Sequence, residues 1–465
     1  MLRNLRKKYI GDKAFYMMVL GIAVPIMIQN GITNFVNLLD NIMVGRLGTE
    51  QMSGVSIVNQ LLFVYNICIF GGVSGAGIFT AQYYGQKDDE GIRYTFRFKL
   101  WMTFVLTLTA VLLFVFFDDM LISLYLSGSS DGGDLQATLE YGKKYLRLML
   151  LSLPAFMILQ VYASTLRECG ETVVPMKAGM TAVAVNLVFN YLLIYGKFGF
   201  PKLGVAGAAI ATVMSRYVEA AFVICWTHKN SKIHTFVEKL YTSLTLPVAT
   251  ASKIFVKGMP LVVNEALWSA GMAVLTQCYS VRGLNVVAGL NIANTVNNLF
   301  NVVFLALGNS IAIVIGQLLG AGKMEEAKDK DNKMIVFSVL ACTGVAFVMF
   351  LLSSVFPLLY NTSEAVRNQA TQFMIAQAFF MPQAAFIHAT YFTLRSGGKT
   401  IITFLFDCVF LWSINVPTVF LLSRFTDMPA HYIYVCGQLT DIIKCIIGFI
   451  LVKNDVWIQN LVKEK

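Results

Sequence analysis

The chain has 465 residues, 57% of them hydrophobic and only 13% charged, and its mean hydropathy is +0.65. A soluble domain is about a quarter charged, so a soluble enzyme with a polar coat is excluded. The formal charge of +10 is scattered over short connections between apolar runs, which sets nucleic acid aside as a partner and gives the basic residues a topological role. Eight cysteines show no CxxC pair and no Cys/His spacing suited to zinc, so they read as small packing residues.

Apolar runs long enough to cross a bilayer recur along the whole chain. In order, they predict spans over 16–39, 52–80, 94–117, 145–166, 174–196, 203–227, 252–280, 285–315, 334–358, 370–394, 400–423 and 431–452. The basic start MLRNLRKKYIGDK leads into an apolar run that continues past Asn30 without a cleavage site, which predicts a retained first span rather than a signal peptide. Segment 118–144 carries SGSSDGG among several acids and reads as a polar, turn-rich, mobile outer loop. With the amino terminus inside, the inner segments hold 25 Lys and Arg and the outer segments nine. That asymmetry predicts a multi-pass protein of the cell membrane with both termini cytoplasmic.

Shifting the sequence by 235 residues aligns Pro25 with Pro260, Gln82 with Gln317, Gly85 with Gly320 and Glu90 with Glu325. A shift of 228 aligns Pro154 with Pro382, Arg167 with Arg395 and Thr172 with Thr400. Each half then holds six spans, and an even number makes both enter the membrane in the same sense. The expectation is an all-α membrane protein of twelve transmembrane helices, in two six-helix lobes related by a pseudo-two-fold along the membrane normal. The lobes fall at 1–228 and 258–465, with 229–257 as a cytoplasmic linker. Two such bundles enclose a cleft, and rocking them exposes it to each side in turn, so the repeat already points to transport.

Acids within spans are costly, about 2.5–3.5 kcal/mol each at a helix centre if charged, and need a reason. Glu219 follows Arg216 by three residues and Asp441 precedes Lys444 by three, the spacing of an intrahelical ion pair. Asp40 and Glu265 have no such neighbour, so each must protonate, bind a cation or pair across helices. Asp40 ends a run of Gln29, Asn30, Asn34 and Asn37 on the first span, whose members from Asn30 onward share a helix face. Asn186 and Asn190 on the fifth span and Thr212 on the sixth add neutral oxygens. Counting rise per residue leaves Asp40 a turn or two nearer the surface than these.

A carboxylate with amide and hydroxyl oxygens suits a proton or a sodium ion. Glu265, about 20 Å into the seventh span, stands beside Asn264 and five residues after Pro260; it is the best-placed second coupling carboxylate. Asn294, in an asparagine ladder on the eighth span, and Gln383 on the tenth join Gln29, Asn37 and Asn264 as candidates facing a substrate cleft. Interhelical hydrogen bonding is the alternative for each. Asp407, about two turns into the eleventh span, reads as a residue that orients the helix entry.

The run PIMIQNGITNFVNLLDNIMVGRLG at 25–48 resembles the first-span signature of the multidrug and toxic compound extrusion (MATE) family. AQYYGQ at 81–86, GQLLGAG at 316–322, LRECGET at 166–172, LRSGGKT at 394–400 and GVAGAAIAT at 204–212 are similar to it as well. The resemblance implies a secondary active antiporter that exports organic, cationic or aromatic drugs or toxins in exchange for protons or sodium. It maps the amino-lobe cation site onto Asp40, Asn186, Asn190 and Thr212, and the seventh-span acid onto Glu265. Several members carry Asp where Asn190 stands, and a single carboxylate tips the balance toward protons. The implied partners are a small organic substrate and membrane lipids. A monomer with no cofactor is expected.

The alternatives are a flippase or exporter of lipid-linked or other amphipathic metabolites, and a membrane-embedded enzyme. The second lacks HExxH, since the four histidines are His228, His234, His388 and His431, and no Walker motif is present.

Overall fold

The computed structural model describes residues 9–45, 47–126, 134–360 and 362–463, with no strand among the described residues. The first half builds α1 (Lys13–Gly45), α2 (Thr49–Gln86), α3 (Asp89–Phe116), the short α4 (Asp118–Leu126), α5 (Leu135–Glu168), α6 (Val173–Tyr195) and α7 (Val205–Lys229). The second half builds α8 (Val248–Ser280), α9 (Leu284–Gly320), α10 (Met324–Leu352), α11 (Glu364–Ser396), α12 (Thr400–Phe425) and α13 (Ala430–Lys453). Eleven helices among the described residues are long and apolar enough to cross a membrane. The 33-residue α11 is a twelfth helix of spanning length; most of its positions from Phe373 to Ser396 are buried, among them the polar Gln377, Thr390, Thr393 and Arg395, which meet protein instead of lipid, so fewer apolar residues suffice.

Several starts follow from capping side chains. Asp88 accepts from the Gly91 amide at 3.0 Å, and Asp134 from that of Ala137 at 3.0 Å, each satisfying an orphan donor of the first turn. Interior prolines Pro25, Pro260 and Pro382 each remove a backbone donor. α12 is wound wide at Leu405–Val409 and Leu411–Asn415, two π turns in succession.

Segment 118–144, expected as a turn-rich loop, is largely helical: it holds α4 and the amphipathic start of α5. Ile122 is fully buried, while Asp119 pairs with Lys143 at 2.7 Å and Asp118 with Arg147 at 3.4 Å. The run of acids and bases hid two helices whose charges pair with one another. Residues 127–133, the centre of the expected loop, lie outside the described residues. Likewise α10 begins ten residues before the predicted 334, because its first turns carry Glu326–Lys330 and Asp329–Lys333 pairs at 2.8 and 2.6 Å, which support a helix that hydropathy alone overlooks.

The chain forms two compact units. One, the carboxyl unit, takes the residues up to Met27, Ala81–Lys87 and all from Val256 onward; the amino unit takes Ile28–Thr80 and Asp88–Phe255. The division within α1 falls two residues after Pro25. The amino unit packs Val58, Ile69, Ile122, Leu146, Ile194 and Ala209 into its core. The carboxyl unit has one core around Met349, Phe373, Met374 and Ile433, and a second in which Val19 and Ala23 of α1 meet Ile311, Ile315 and Leu394.

Residues 229–255 pack within the amino unit. Phe236 and Leu240 are buried, and Arg97 on α3 donates to the carbonyls of Lys239 and Leu240, each at 3.1 Å. Nearby, the fully buried Lys99 is ion-paired with Glu168 and donates to Thr165 Oγ1 at 3.1 Å.

The segment after α13 folds back onto the carboxyl unit. Trp457 is buried against Gly397, and buried Gln82 at the end of α2 accepts from the Leu461 amide at 2.7 Å while donating to the carbonyls of Ser396 at 3.1 Å and Gln459 at 3.3 Å. Asn460 donates to the Gly320 carbonyl at 3.1 Å.

Candidate functional site

In the amino unit, Asp40 sits near the end of α1, which is tied to α6 by the Tyr195 hydroxyl donating to the Met43 carbonyl at 3.2 Å. Asn190 Nδ2 donates both to Asp40 Oδ1 at 2.6 Å and to Asn186 Oδ1 at 2.9 Å. Asn186 Nδ2 in turn donates to Thr212 Oγ1 at 3.3 Å, and that hydroxyl donates to the Ala208 carbonyl at 3.0 Å. The structure therefore brings Asp40, Asn186, Asn190 and Thr212 into one connected array. The side chains of Asp40 and Asn190 close the height difference that residue counting left between them.

The array has a direction. The Asn190 amide must point its NH2 at Asp40, since the reverse rotamer would set its oxygen against the carboxylate. That leaves Asn190 Oδ1 buried and without a hydrogen-bond partner. Asn186 and Asn190 are 5% and 1% exposed, so these oxygens lie where a cation would gain most from them. The direct partner of Asp40 in this array is a neutral amide. Chemically, the site can take a proton on Asp40, or present its carboxylate and the open Asn190 oxygen to a small hard cation. Among the described residues no group of three or more His, Cys, Asp and Glu converges as a metal site.

Arg216 pairs with Glu219 at 3.0 Å, as their spacing predicts, and lies 5.4 Å from the Phe156 ring centroid. Gln29 accepts from Arg167 Nη2 at 3.4 Å. The Asn37 side chain lies outside the described residues.

In the carboxyl unit, Glu265 Oε1 accepts from the Tyr391 hydroxyl on α11 at 3.2 Å, a partner across helices. Asn264, 1% exposed, donates to Asp407 Oδ2 at 3.1 Å. Asn294 accepts from Gln377 Nε2 at 2.9 Å, and Gln383 donates to the Gln438 carbonyl at 2.8 Å. Four of the five cleft candidates, Gln29, Asn264, Asn294 and Gln383, thus bind neighbouring helices through their amides.

Two expectations are corrected. Lys444 does not take Asp441, three residues before it on α13, as its ion-pair partner: its ammonium reaches Asp407 Oδ1 at 2.6 Å. Asp407 is accordingly a node joining α8, α12 and α13 instead of a residue that orients a helix entry. Sequence reading also missed Tyr391 and the Lys99–Glu168 pair. Their signal was present but weak: Tyr391 lies one helical turn before Arg395, and Lys99 is a lysine already ten residues inside a helix.

The family model MatE matches residues 25–192 and 260–421, far more than half of the chain, and its two segments coincide with the two sequence repeats. The chain belongs to the MatE family. A relative from Thermotoga maritima, "Probable multidrug resistance protein NorM", is 23% identical over 91% of this chain and 88% of its own length. Multidrug resistance protein MdtK of Pectobacterium atrosepticum is 25% identical over 86% of each chain. The solved structure of MATE in the straight conformation superposes with a TM-score of 0.84 at 20% identity, covering 97% of this chain and 98% of that one. This MatE chain is a multi-pass membrane transporter and not an enzyme, with the twelve-helix, two-lobe layout of its fold.

Proposed function

We propose that the protein is a multidrug efflux antiporter of the cell membrane, with both termini in the cytoplasm. It exports organic, cationic or aromatic compounds in exchange for protons or sodium by alternating access between the amino and carboxyl lobes. The observation that carries this reading is the Asp40–Asn190–Asn186–Thr212 array, with one carboxylate and the unpartnered Asn190 oxygen beside it. A carboxylate held by an amide in an apolar lobe gives and takes a cation with a change of one charge, the event a coupled carrier needs at each half-cycle.

With a single carboxylate, the proton is the favoured ion, because it titrates Asp40 directly, whereas sodium needs several hard oxygens at once. Glu265 supplies a second negative charge suited to a cationic substrate, held through Tyr391. No cofactor enters the cycle, and one chain suffices. The test is dye efflux from proteoliposomes under separately imposed gradients. Export driven by a pH gradient in sodium-free buffer supports proton coupling. Strict dependence on sodium at fixed pH overturns it, and export indifferent to both gradients overturns the antiport itself.

A further inference from the structure

Asp407 stands in the first wide turn of α12, and both of its oxygens are engaged from other helices of the carboxyl unit. Lys444 Nζ on α13 meets Oδ1 at 2.6 Å, and Asn264 Nδ2 on α8 donates to Oδ2 at 3.1 Å. The Lys444 ammonium also lies 5.2 Å from the ring centroid of Phe406 and 6.0 Å from that of Phe410, distances at which aromatic faces attract a cation. Side-chain exposure is 9% for Lys444 and 16% for Asp407, so water screens the pair weakly. The Asn264 amide that holds Asp407 keeps its own Oδ1 buried and without a hydrogen-bond partner.

A carboxylate, two ring faces and an uncommitted amide oxygen are the groups that hold a monovalent cation in a membrane protein. Here the cation is supplied by the chain. The π turn matters to this outcome, because the extra residue it accommodates re-aims the side chains around it, and Asp407 lies within that turn.

We propose that Lys444 is the resident cation of the carboxyl unit: a tethered ammonium fills the place at Asp407 that an exchangeable ion would take, so that this carboxylate is closed to the coupling ion. The inference rests on the reading of Asp40 as the coupling carboxylate. A sodium ion arriving at Asp407 would have to leave the Lys444 ammonium unpaired in a low-dielectric interior, which costs more than the exchange returns. Lysine suits this post, since its ammonium is a compact charge with three donors at the end of a flexible stem.

The experiment uses the full chain in nanodiscs, carrying Asp40→Asn and Glu265→Gln so that cation binding at those two carboxylates is silent. Unfolding midpoints are compared in ethylammonium, sodium and N-methylglucamine chloride at equal ionic strength. With Lys444 intact, the three midpoints are expected to coincide. Lys444→Ala should lower the midpoint in N-methylglucamine, and ethylammonium or sodium should restore it saturably; Asp407→Asn/Lys444→Ala should ignore all three.

The proposal is overturned by a cation response that survives loss of Asp407, by a folded Lys444→Ala that gains nothing from either cation, or by sodium stabilisation of the Lys444-intact protein that Asp407→Asn removes. Should Lys444→Ala not fold, Asp407→Asn/Lys444→Met with Asp40 and Glu265 intact decides. Export with the wild-type gradient dependence supports a resident cation, and loss of coupling in that folded variant overturns it. Failure of the Asp40 reading shows separately, as gradient-driven export by Asp40→Asn alone.

Discussion

Gly85 lies so close to Gln317 that a Cβ on the glycine would stand 1.9 Å from the glutamine carbonyl oxygen. The repeat equivalents mirror the contact: a Cβ on Gly320 would stand 1.9 Å from the carbonyl oxygen of Gln82. The two copies of one motif thus use the same glycine to approach the same glutamine of the other copy, backbone to backbone, as small residues do where membrane helices cross. Gly85→Ala and Gly320→Ala should each cost about 1–3 kcal/mol from overpacking. Gly344→Ala, whose Cβ meets nothing within 4 Å, should be neutral or gain up to ~1 kcal/mol of helix propensity. Thermal unfolding in one detergent ranks the three, and a stable Gly85→Ala would contradict the packing.

Asp40→Asn should leave the unfolding midpoint nearly unchanged while reducing gradient-driven dye export to the uncoupled background. The substituted amide can still accept the Asn190 hydrogen bond through its carbonyl oxygen, yet it cannot exchange a cation. Asn190→Ala removes both of that residue's donated bonds and should impair export and stability together. Measuring midpoint and efflux on the same preparations separates the two variants.

Glu265→Gln preserves an acceptor for the Tyr391 hydroxyl, so folding should survive. If the carboxylate serves cationic substrates, export of a cationic dye falls more than that of a neutral one; a contact worth ~1.4 kcal/mol appears as about a tenfold difference between them. Equal effects on both dyes would leave Glu265 a structural residue.

Lys99→Met takes away the cation that pairs with Glu168, and Glu168→Gln takes away the carboxylate that pairs with a fully buried ammonium. Removing one partner of a buried pair costs about 3–5 kcal/mol, whereas replacing both is often tolerated. Expression and midpoint of the two single variants should therefore fall below those of the Lys99→Met/Glu168→Gln double variant. Additive losses would show that the pair is not a unit.

His234, between α7 and α8, packs beside Trp226 and Phe236 with ring centroids 5.5 and 6.1 Å away. Burial holds its pKa below the ordinary 6.5, against the opposing pull of Glu171. The folded chain then binds its proton less readily than the unfolded chain. The associated stability is fully present above about pH 6.5 and is lost as pH falls toward the depressed folded value. His234→Phe should flatten the pH dependence of the midpoint in that window; an unchanged slope would assign the acid sensitivity elsewhere.

Apolar runs and helical spacing are local signals, which is why the spans, the repeat and the shared face of Asn186 and Asn190 are legible in the sequence. Cross-helix partners are not local. Lys444 pairs with Asp407, 37 positions away, instead of Asp441 on its own helix, and the wide turn that holds Asp407 is invisible to residue counting. Hydropathy also misplaced the starts of α5 and α10, where paired charges make polar turns helical. The Lys99–Glu168 pair, 69 positions apart, was hidden for the same reason as Asp407.

The clasp of Gln82 on the end of the chain has a consequence for biogenesis. Its acceptor oxygen is satisfied by the amide of Leu461, 379 residues later. At a synthesis rate of about 5–20 residues per second, the helix end carrying Gln82 waits roughly 20–80 s for that partner to leave the ribosome. During this interval the Gln82 side chain stays solvated at the end of α2, because its other partners, the carbonyls of Ser396 and Gln459, also belong to the carboxyl unit. A nascent chain stopped just after α13 would therefore have every span and still lack the partners that Gln82 takes from Gln459 and Leu461.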